Sequence, residues 1–275
     1  MRTSSQPAAT CSHTPAPRLA RAVNGVRFDA VTRGDLGSTI DRFLDCGESH
    51  VVHFFAAHPT VLAREDATYR ATLNKGDLNL ADGLPVAWAL RMLGQPADRI
   101  TGTQAFLALC DWGIARGVRH FFYGGTPEVL IRMRANLEQA CPGIEIAGAI
   151  SPPFKELTDD ELDAAASEIR ASGADLVWVG LGAPKQDVVG EKLRERRCAS
   201  TVLCVGAAFD FVAGVKRRAP RWMQAAGLEW AFRLGTEPRR LWRRYLIGNP
   251  QFVAGVAHDF AAARLPFASQ FEPAP

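Results

Sequence analysis

The sequence has no run of about 18 or more uncharged apolar residues, so no segment is predicted to cross a membrane. Its first residues are rich in Ser, Thr, Pro and Ala but lack a continuous apolar stretch, which excludes a secretory signal and predicts a disordered leader over residues 1–24. The six cysteines include no Cys-x-x-Cys pair, a pattern that favours reduced thiols in a cytosolic protein over disulfides or a zinc site. His53 and His58 have no His, Cys or carboxylate at metal-ligand spacing near them, so no metal site is predicted.

Two common nucleotide-binding signatures are also absent. The segment GLGAPK at 180–185 lacks the third glycine of a dinucleotide fingerprint, and the chain has no Gly-Lys-Ser/Thr of a P-loop. We therefore predict neither a nicotinamide cofactor nor any other bound cofactor.

The chain does contain a regular alternation of strand-like and helix-like segments. It has 275 residues, 47% of them hydrophobic, which is enough to bury a substantial core. The predicted strands cover 26–32, 49–58, 77–83, 119–125, 144–150, 175–182 and 201–209, and the main helices between them cover 34–45, 59–75, 103–116, 127–140 and 184–197, with one more starting at 158. This order predicts an α/β fold over residues 25–214, a Rossmann-like, mostly parallel sheet with helices on both faces.

Positive charge is concentrated near the C-terminus. Residues 216–244 contain nine basic and two acidic side chains, a net charge of +7 in a chain of only +3. Eight of the nine are Arg, whose planar fork grips phosphate oxygens in pairs. Aromatic and aliphatic residues are interleaved with them, which predicts an amphipathic, Arg-rich helical appendage over 215–265. Such a run is either a solvated charged face over ordinary core or a surface for phosphate and a membrane interface.

Ligands of a parallel sheet bind beyond the carboxyl ends of its strands, so the residues at those ends are the site candidates. Asp82 follows a strand and precedes Gly83; it is either an exposed functional carboxylate or the N-cap of the helix starting near Pro85. Gly124, Gly125 and Gly182 follow two further strands, where glycine either lets backbone approach a phosphate or merely forms a turn.

Three polar residues near the same predicted edge have two interpretations each. Lys185 and Gln186 start a helix after a glycine loop and either bind an anionic group or are surface residues. Asp210 follows an apolar strand and either accepts a hydrogen bond from a ribose hydroxyl or caps the next turn.

Taken together, these motifs resemble the WecG/TagA/CpsF glycosyltransferase family over residues 27–250. The matching segments are LADG (80–83), DRITGT (98–103), SPPF (151–154), DLVWVGLGAPKQD (175–187), GAAFDFVAGVKRRAP (206–220) and GLEWAFRLGTEPRRLWRRYLIGNP (227–250). The resemblance implies an inverting, metal-independent transfer of a sugar from a UDP-sugar to a polyprenyl-diphosphate-linked sugar, in the synthesis of a surface polysaccharide or wall polymer. It also implies a peripheral location on the anionic inner face of the cytoplasmic membrane, and self-association, although the residues themselves do not define an oligomeric state.

The resemblance also implies roles for individual residues. Asp82 looks like the general base, Arg99 and Gln186 resemble residues that line the sugar-nucleotide site, and Asp210 is similar to one that contacts the nucleotide. The arginines of the appendage that resemble diphosphate ligands are Arg233, Arg240 and Arg243.

The chain departs from the family pattern at two places. His53, Phe54 and Phe55 stand where a Thr-x-Asn pattern is common in the family. The transferred sugar is therefore expected either to differ from N-acetylmannosamine and its uronic acid or to be bound differently. A hexose such as glucose is the third candidate for this sugar. Asp187 stands where Glu is usual.

Two other functions compete with this prediction. A non-catalytic nucleotide- or lipid-binding protein would use the same sheet. Such a protein would be expected to have lost Asp82, whereas this chain has it. A nucleic-acid binder would use the basic segment, but no helix-turn-helix or RNA-recognition signature is present, so no nucleic-acid partner is predicted.

Overall fold

The computed structural model describes residues 20–95 and 97–264. The strands are β1 Ala20–Val23, β2 Val26–Asp29, β3 His50–Phe55, β4 Leu78–Ala81, β5 Arg119–Gly124, β6 Glu145–Ile150, β7 Leu176–Gly180 and β8 Thr201–Cys204. The last six form one sheet in the order β4-β3-β8-β7-β5-β6, and every pairing in it is parallel. The predicted parallel α/β sheet is confirmed.

The helices that follow or separate these strands are α1 Leu36–Asp45, α2 Ala57–Glu65, α3 Ala67–Lys75, α4 Leu84–Met92, α5 Gly102–Ile114, α6 Pro127–Ala140, α7 Asp159–Ser172, α8 Lys185–Glu195 and α9 Ala208–Val212. Their starts follow from local sequence. Thr101 and Thr158 each cap a helix and form a capping box with the Gln or Glu three residues later.

The helices cover both faces of the sheet. Along β7, Trp178 packs on one face with Phe106 and Phe209, whereas Val177 packs on the other with Leu193. Successive strand residues point to opposite faces, and both are apolar here, as is typical of a buried parallel strand.

The segment 26–32, predicted as the first strand, does not join the parallel sheet. Val26–Asp29 instead pairs antiparallel with Ala20–Val23 across a two-residue turn at Asn24 and Gly25. Both turn residues have positive φ, which Asn-Gly adopts readily and which matches the twist of a hairpin. Residues 20–23 therefore form a strand within the predicted leader, whereas residues 1–19 lie outside the described residues.

The single helix predicted over 59–75 is two helices, α2 and α3. They are separated at Asp66, whose backbone is extended and whose side chain accepts a hydrogen bond from Tyr69 N. An aspartate that caps a new helix in this way ends the preceding one, and the apolar spacing of the segment did not reveal this break.

The appendage consists of α10 Arg221–Ala225, α11 Glu229–Thr236, α12 Pro238–Trp242, a π-helical turn Arg243–Ile247 and α13 Gly248–Arg264. Its last helix is anchored on the α/β domain. Phe252 is buried in a core shared with the hairpin and α2, and the Asp259 carboxylate accepts a hydrogen bond from Asn24 N at 2.6 Å. Gly255 lies so close to Asn24 that a side chain there would not fit. Both ends of α10–α12 are thus tied to the domain.

Candidate active site

Asp82 stands at the carboxyl end of β4, held there by its backbone. Its N–H donates to Phe55 O, at the end of β3, at 3.0 Å, which continues the parallel ladder by one residue beyond β4. The N-cap of α4 is Gly83, not Asp82, so the capping interpretation of Asp82 is wrong. Among the described residues, no hydrogen-bond or ion-pair partner is found for the Asp82 carboxylate, which leaves it available to a substrate.

The electrostatic surroundings of Asp82 make it a stronger base than an ordinary carboxylate. Burial raises the pKa of Asp82 to about 6; Arg99, Arg233 and Arg244 oppose this rise, and the Glu229 carboxylate adds to it. Three of these four charges come from the appendage, so the environment of Asp82 depends on that segment lying over the strand ends.

Arg99 connects the strand edge to the appendage. Its guanidinium donates to Asp82 O at 2.7 Å, to Gln224 O at 3.4 Å and to the Glu229 carboxylate at 2.7 Å. This charge-assisted pair is mostly shielded from solvent, with side-chain exposures of 16% and 23%. Glu229 was not predicted as a site residue, although an acidic residue within a basic segment was a sign that it pairs with a particular cation.

A cluster of arginines from the appendage faces the same region. Burial lowers the pKa of Arg244, and the charges of Arg233 and Arg240 lower it further, which shows that these guanidinium groups are close together. Arg244 Nε is buried and, in the part of the chain that the structure describes, has no hydrogen-bond partner. A guanidinium with an unused buried donor, such as that of Arg244, is an expected feature of an anion site.

The structure separates the three predicted diphosphate ligands. Arg233 is half-buried and lies 5.9 Å from the ring of Phe211. Arg240 is exposed and paired with Glu237, whereas Arg243 is exposed and lies 5.2 Å from the ring of Trp242. Arg244 therefore occupies the position in the cluster that was predicted for Arg243. The spacing of Arg240 and Arg244 at i and i+4 was the signal.

His58 also lies near this cluster. It follows β3 at the start of α2 and is half-buried, and burial together with the charge of Arg244 lowers its pKa to about 4. The imidazole is therefore neutral at neutral pH, and it can hydrogen-bond to a substrate without adding positive charge.

The glycines of two neighbouring strands meet at the same edge. Gly124 (φ +131°) is the last residue of β5 and Gly125 (φ +70°) follows it; a side chain at Gly124 would collide with the backbone of Gly180 at the end of β7. Gly182 (φ +77°) has free space where a side chain would be. Gly124 is thus required by strand packing, whereas the loop at Gly182 is open to a ligand.

Lys185 and Gln186 are used to build this loop. The buried Gln186 amide accepts from Gly182 N at 3.1 Å and donates to Cys204 O at 3.4 Å, while Lys185 Nζ donates to Lys155 O. Gln186 is therefore placed to position the loop, and it does not present its amide to solvent.

Asp210 lies in α9 and is paired with a cation of the appendage. Its carboxylate is 2.7 Å from Lys216 Nζ, and it accepts no helix-capping hydrogen bond at the start of α9. Lys216 is also 3.9 Å from Glu237, so the appendage touches the strand edge at Asp210 as well as at Arg99.

His53 does not reach this edge. It is fully buried two residues before the end of β3, 3.3 Å from Asp187 and 3.4 Å from Glu191, with Cys204 on the adjacent strand. No Cys or carboxylate stands at metal-ligand spacing near His53 in the sequence, because these partners come from distant parts of the chain. The residues that stand at the strand exit are 56–58.

The cluster around His53 has the character of an internal ion-pair network. Ligand atoms of His53, Asp187 and Cys204 lie within 4.8 Å of one another, a separation at which a metal ion is conceivable. However, Tyr69 OH donates to Asp187 at 2.6 Å and other polar partners surround the group. Burial by itself would lower the pKa of His53, but Cys204, Asp187 and Glu191 raise it well above its usual value, so the charges are balanced within the protein.

In the part of the chain that the structure describes, no helix has both the length and the apolar character needed to cross a membrane.

Comparison with known proteins agrees with this arrangement. Residues 21–265 match the model of the Glycosyl transferase WecG/TagA/CpsF family. The chain is similar to an N-acetylglucosaminyldiphosphoundecaprenol N-acetyl-beta-D-mannosaminyltransferase from Bacillus spizizenii (strain ATCC 23059 / NRRL B-14472 / W23), with 33% identity over 210 residues, which is 76% of this chain and 79% of that protein. The unpartnered carboxylate of Asp82 lies at a strand exit beneath the arginine-rich appendage. The chain that carries it belongs to the WecG/TagA/CpsF family and is a glycosyltransferase.

Proposed function

We propose that this enzyme moves a sugar from a UDP-sugar to a polyprenyl-diphosphate-linked sugar, by an inverting reaction that needs no metal ion, in the synthesis of a surface polysaccharide or wall polymer. The name of the relative favours N-acetylmannosamine as the sugar and N-acetylglucosamine as the acceptor sugar. The observation that carries the proposal is the unpartnered carboxylate of Asp82 beside the arginine cluster of the appendage.

Asp82 acts as the general base. It takes the proton of the acceptor hydroxyl while that oxygen attacks the anomeric carbon of the donor, and the bond from this carbon to the diphosphate oxygen breaks. A single displacement of this kind inverts the anomeric configuration. A pKa of about 6 leaves the carboxylate ionised at neutral pH but more basic than that of a free Asp, which suits proton transfer at that pH.

The arginines of the appendage supply the positive charge that a metal ion would otherwise supply. Arg233 and Arg244 are close enough to Asp82 to affect its pKa, so they lie near the place where the diphosphate leaves. Preorganised cations stabilise charge that develops in the transition state, and a covering segment excludes water. In this proposal Arg240 and Arg243, which are exposed, bind the diphosphate of the lipid-linked acceptor.

The nucleotide occupies the glycine-lined part of the edge. In this proposal the backbone approaches the donor closely at four glycines, Gly83, Gly124, Gly125 and Gly182. Arg99 and Lys185 line the same donor site. Asp210 gives up its contact with Lys216 and accepts a hydrogen bond from a ribose hydroxyl instead.

The direct test is a transfer assay with purified enzyme and no added metal. A panel of UDP-sugars (N-acetylmannosamine, its uronic acid and glucose) is combined with polyprenyl-diphosphate N-acetylglucosamine or glucose, and release of UDP is measured with lengthening of the lipid. We expect one donor and acceptor pair to react in the presence of a chelator. Binding of UDP-sugar without turnover on any pair would instead favour the alternative, a non-catalytic nucleotide- or lipid-binding protein.

We further propose that the appendage contacts the anionic inner face of the cytoplasmic membrane. Large apolar side chains are exposed along it beside the basic residues, among them Trp222, Trp242, Leu246 and Ile247. Basic residues near an anionic leaflet contribute about 1 kcal/mol each, and aromatic rings favour the interface.

Flotation with vesicles of anionic phospholipid tests this surface. The double variant Leu246→Gln/Ile247→Gln is expected to float several-fold less than the wild type, because both residues are exposed and lose apolar area that would be buried in the lipid. Ile131→Gln is the matched control, since Ile131 is equally apolar and exposed but lies on α6. Equal loss in both variants, or none in the double variant, would contradict the proposal.

A further inference from the structure

A second cluster of reactive side chains lies at the opposite edge of the sheet from Asp82. Cys46 is the C-cap of α1, His50 is the first residue of β3, and Asp77 immediately precedes β4. Because β3 and β4 are parallel neighbours, their amino-terminal ends bring these residues together, while Asp82 stands at the carboxyl end. The proposed transfer reaction uses none of the three.

The three side chains are arranged in a chain of contacts. Cys46 Sγ is 2.8 Å from His50 Nε2, and His50 Nδ1 is 3.3 Å from Asp77 Oδ1, an ion-pair contact that lacks the alignment of a hydrogen bond. The other Asp77 oxygen accepts a hydrogen bond from Val51 N at 2.8 Å, which fixes the carboxylate. The ring of Phe43 stacks on His50 with 4.1 Å between centroids, which fixes the plane of the imidazole.

This order of groups is the one found where a thiol is activated as a nucleophile: a base within reach of the sulfur, and a carboxylate that orients the base. Burial by itself would lower the pKa of His50, but its contacts with Asp77 and Cys46 outweigh burial and raise it. The imidazole is therefore suited to hold the proton that leaves the thiol. Arg194 is a further charge near Asp77.

Access distinguishes Cys46 from the other cysteines that the structure describes. Cys46 is half-buried, whereas Cys110, Cys141, Cys198 and Cys204 are buried. Cys11 lies outside the described residues. Cys46 is therefore the most accessible of the cysteines in the described part of the chain.

We propose that Cys46 is a thiol–disulfide exchange site for low-molecular-weight disulfides, with His50 as its base and Asp77 as the residue that positions His50. His50 takes the thiol proton, and the Cys46 sulfur attacks one sulfur of the small disulfide. A new disulfide joins Cys46 to that half, the original disulfide bond breaks, and the other half leaves as a thiolate that receives the proton from His50. Cys46 is oxidised and the small disulfide is reduced, so the step is balanced.

The test uses full-length protein carrying Cys11→Ser and an aromatic disulfide that releases a coloured thiolate. We expect Cys46 to react at least about tenfold faster than cysteine in a short unstructured peptide at the same pH, with the adduct assigned to Cys46 by peptide mass mapping. His50→Gln and Asp77→Asn should each remove most of this advantage, and Cys46→Ser should remove the fast reaction altogether.

Two results would overturn the proposal. One is a wild-type rate equal to that of the peptide, a comparison that needs no variant to fold; the other is a fast rate that both folded variants, His50→Gln and Asp77→Asn, retain. Because the cluster is at the far edge of the sheet, Cys46→Ser is expected to keep full glycosyl transfer, so this test is independent of the proposed transfer reaction.

Discussion

An Asp82→Asn enzyme is expected to fold normally and to transfer sugar about 10²- to 10⁴-fold more slowly than the wild type, the usual contribution of a general base. The amide has nearly the same shape but accepts no proton. The structure gives Asp82 no partner among the described residues whose loss would destabilise the fold, so the deficit is expected in turnover and not in the melting temperature.

The pH profile provides a second measurement of the same assignment. With a pKa of about 6, Asp82 is protonated below that pH, so kcat/KM of the wild type is expected to rise from acid pH with a midpoint near 6. The residual activity of Asp82→Asn should lack this midpoint.

Asp41→Asn is the matched control, because Asp41 is a partly exposed carboxylate on α1 that pairs with Arg116. It should keep both the rate and the profile. Near-normal turnover by Asp82→Asn would show that another group removes the proton.

An Arg244→Gln enzyme is expected to lose about 10²- to 10³-fold in kcat, the usual cost of removing one preorganised group that stabilises developing charge. Gln keeps a hydrogen-bond donor but removes the cation beside the leaving diphosphate. The change also acts on Asp82. Arg244 opposes the rise in the pKa of Asp82, so its removal should move the acid limb of the remaining activity to higher pH.

Arg239→Gln supplies the comparison. It removes the same charge from the same segment, but Arg239 is exposed and is not among the charges with the largest effects on the pKa of Asp82. Only Arg244→Gln should shift the pH profile. If both variants lost the same activity without a shift, the positive charge would act through general attraction of the lipid and not at the site.

How far the site was predictable differs from residue to residue. Asp82 was predicted as a site residue from its place at a strand end, and the parallel sheet brings such ends to one edge. Arg99, which lies between α4 and α5, came from the resemblance alone. The resemblance gave Arg243 and not Arg244, although Arg244 lies four residues after Arg240. In the structure Arg243 and Arg244 both lie in the π-helical turn, and the half-buried Arg244 affects the pKa of Asp82. Glu229 and His58 were missed because their importance comes from charges far away in the sequence.

The break between α2 and α3 and the hairpin at the N-terminus show the same limit in the fold. Apolar spacing indicates that a segment is helical or extended, but it does not state whether Asp66 will cap a new helix or which strand will be the partner of Val26–Asp29.

The order of apolar segments and glycines by itself determined the α/β class, the parallel sheet and the edge at which the site lies, because buried strands alternating with helices pack in few ways. Only the tertiary structure decided which charges meet. It placed Glu229 on Arg99, Arg244 near Asp82, Asp187 beside His53 and Cys46 beside His50. Most of these pairs join residues far apart in sequence, and pKa values depend on distances in space that no local pattern records.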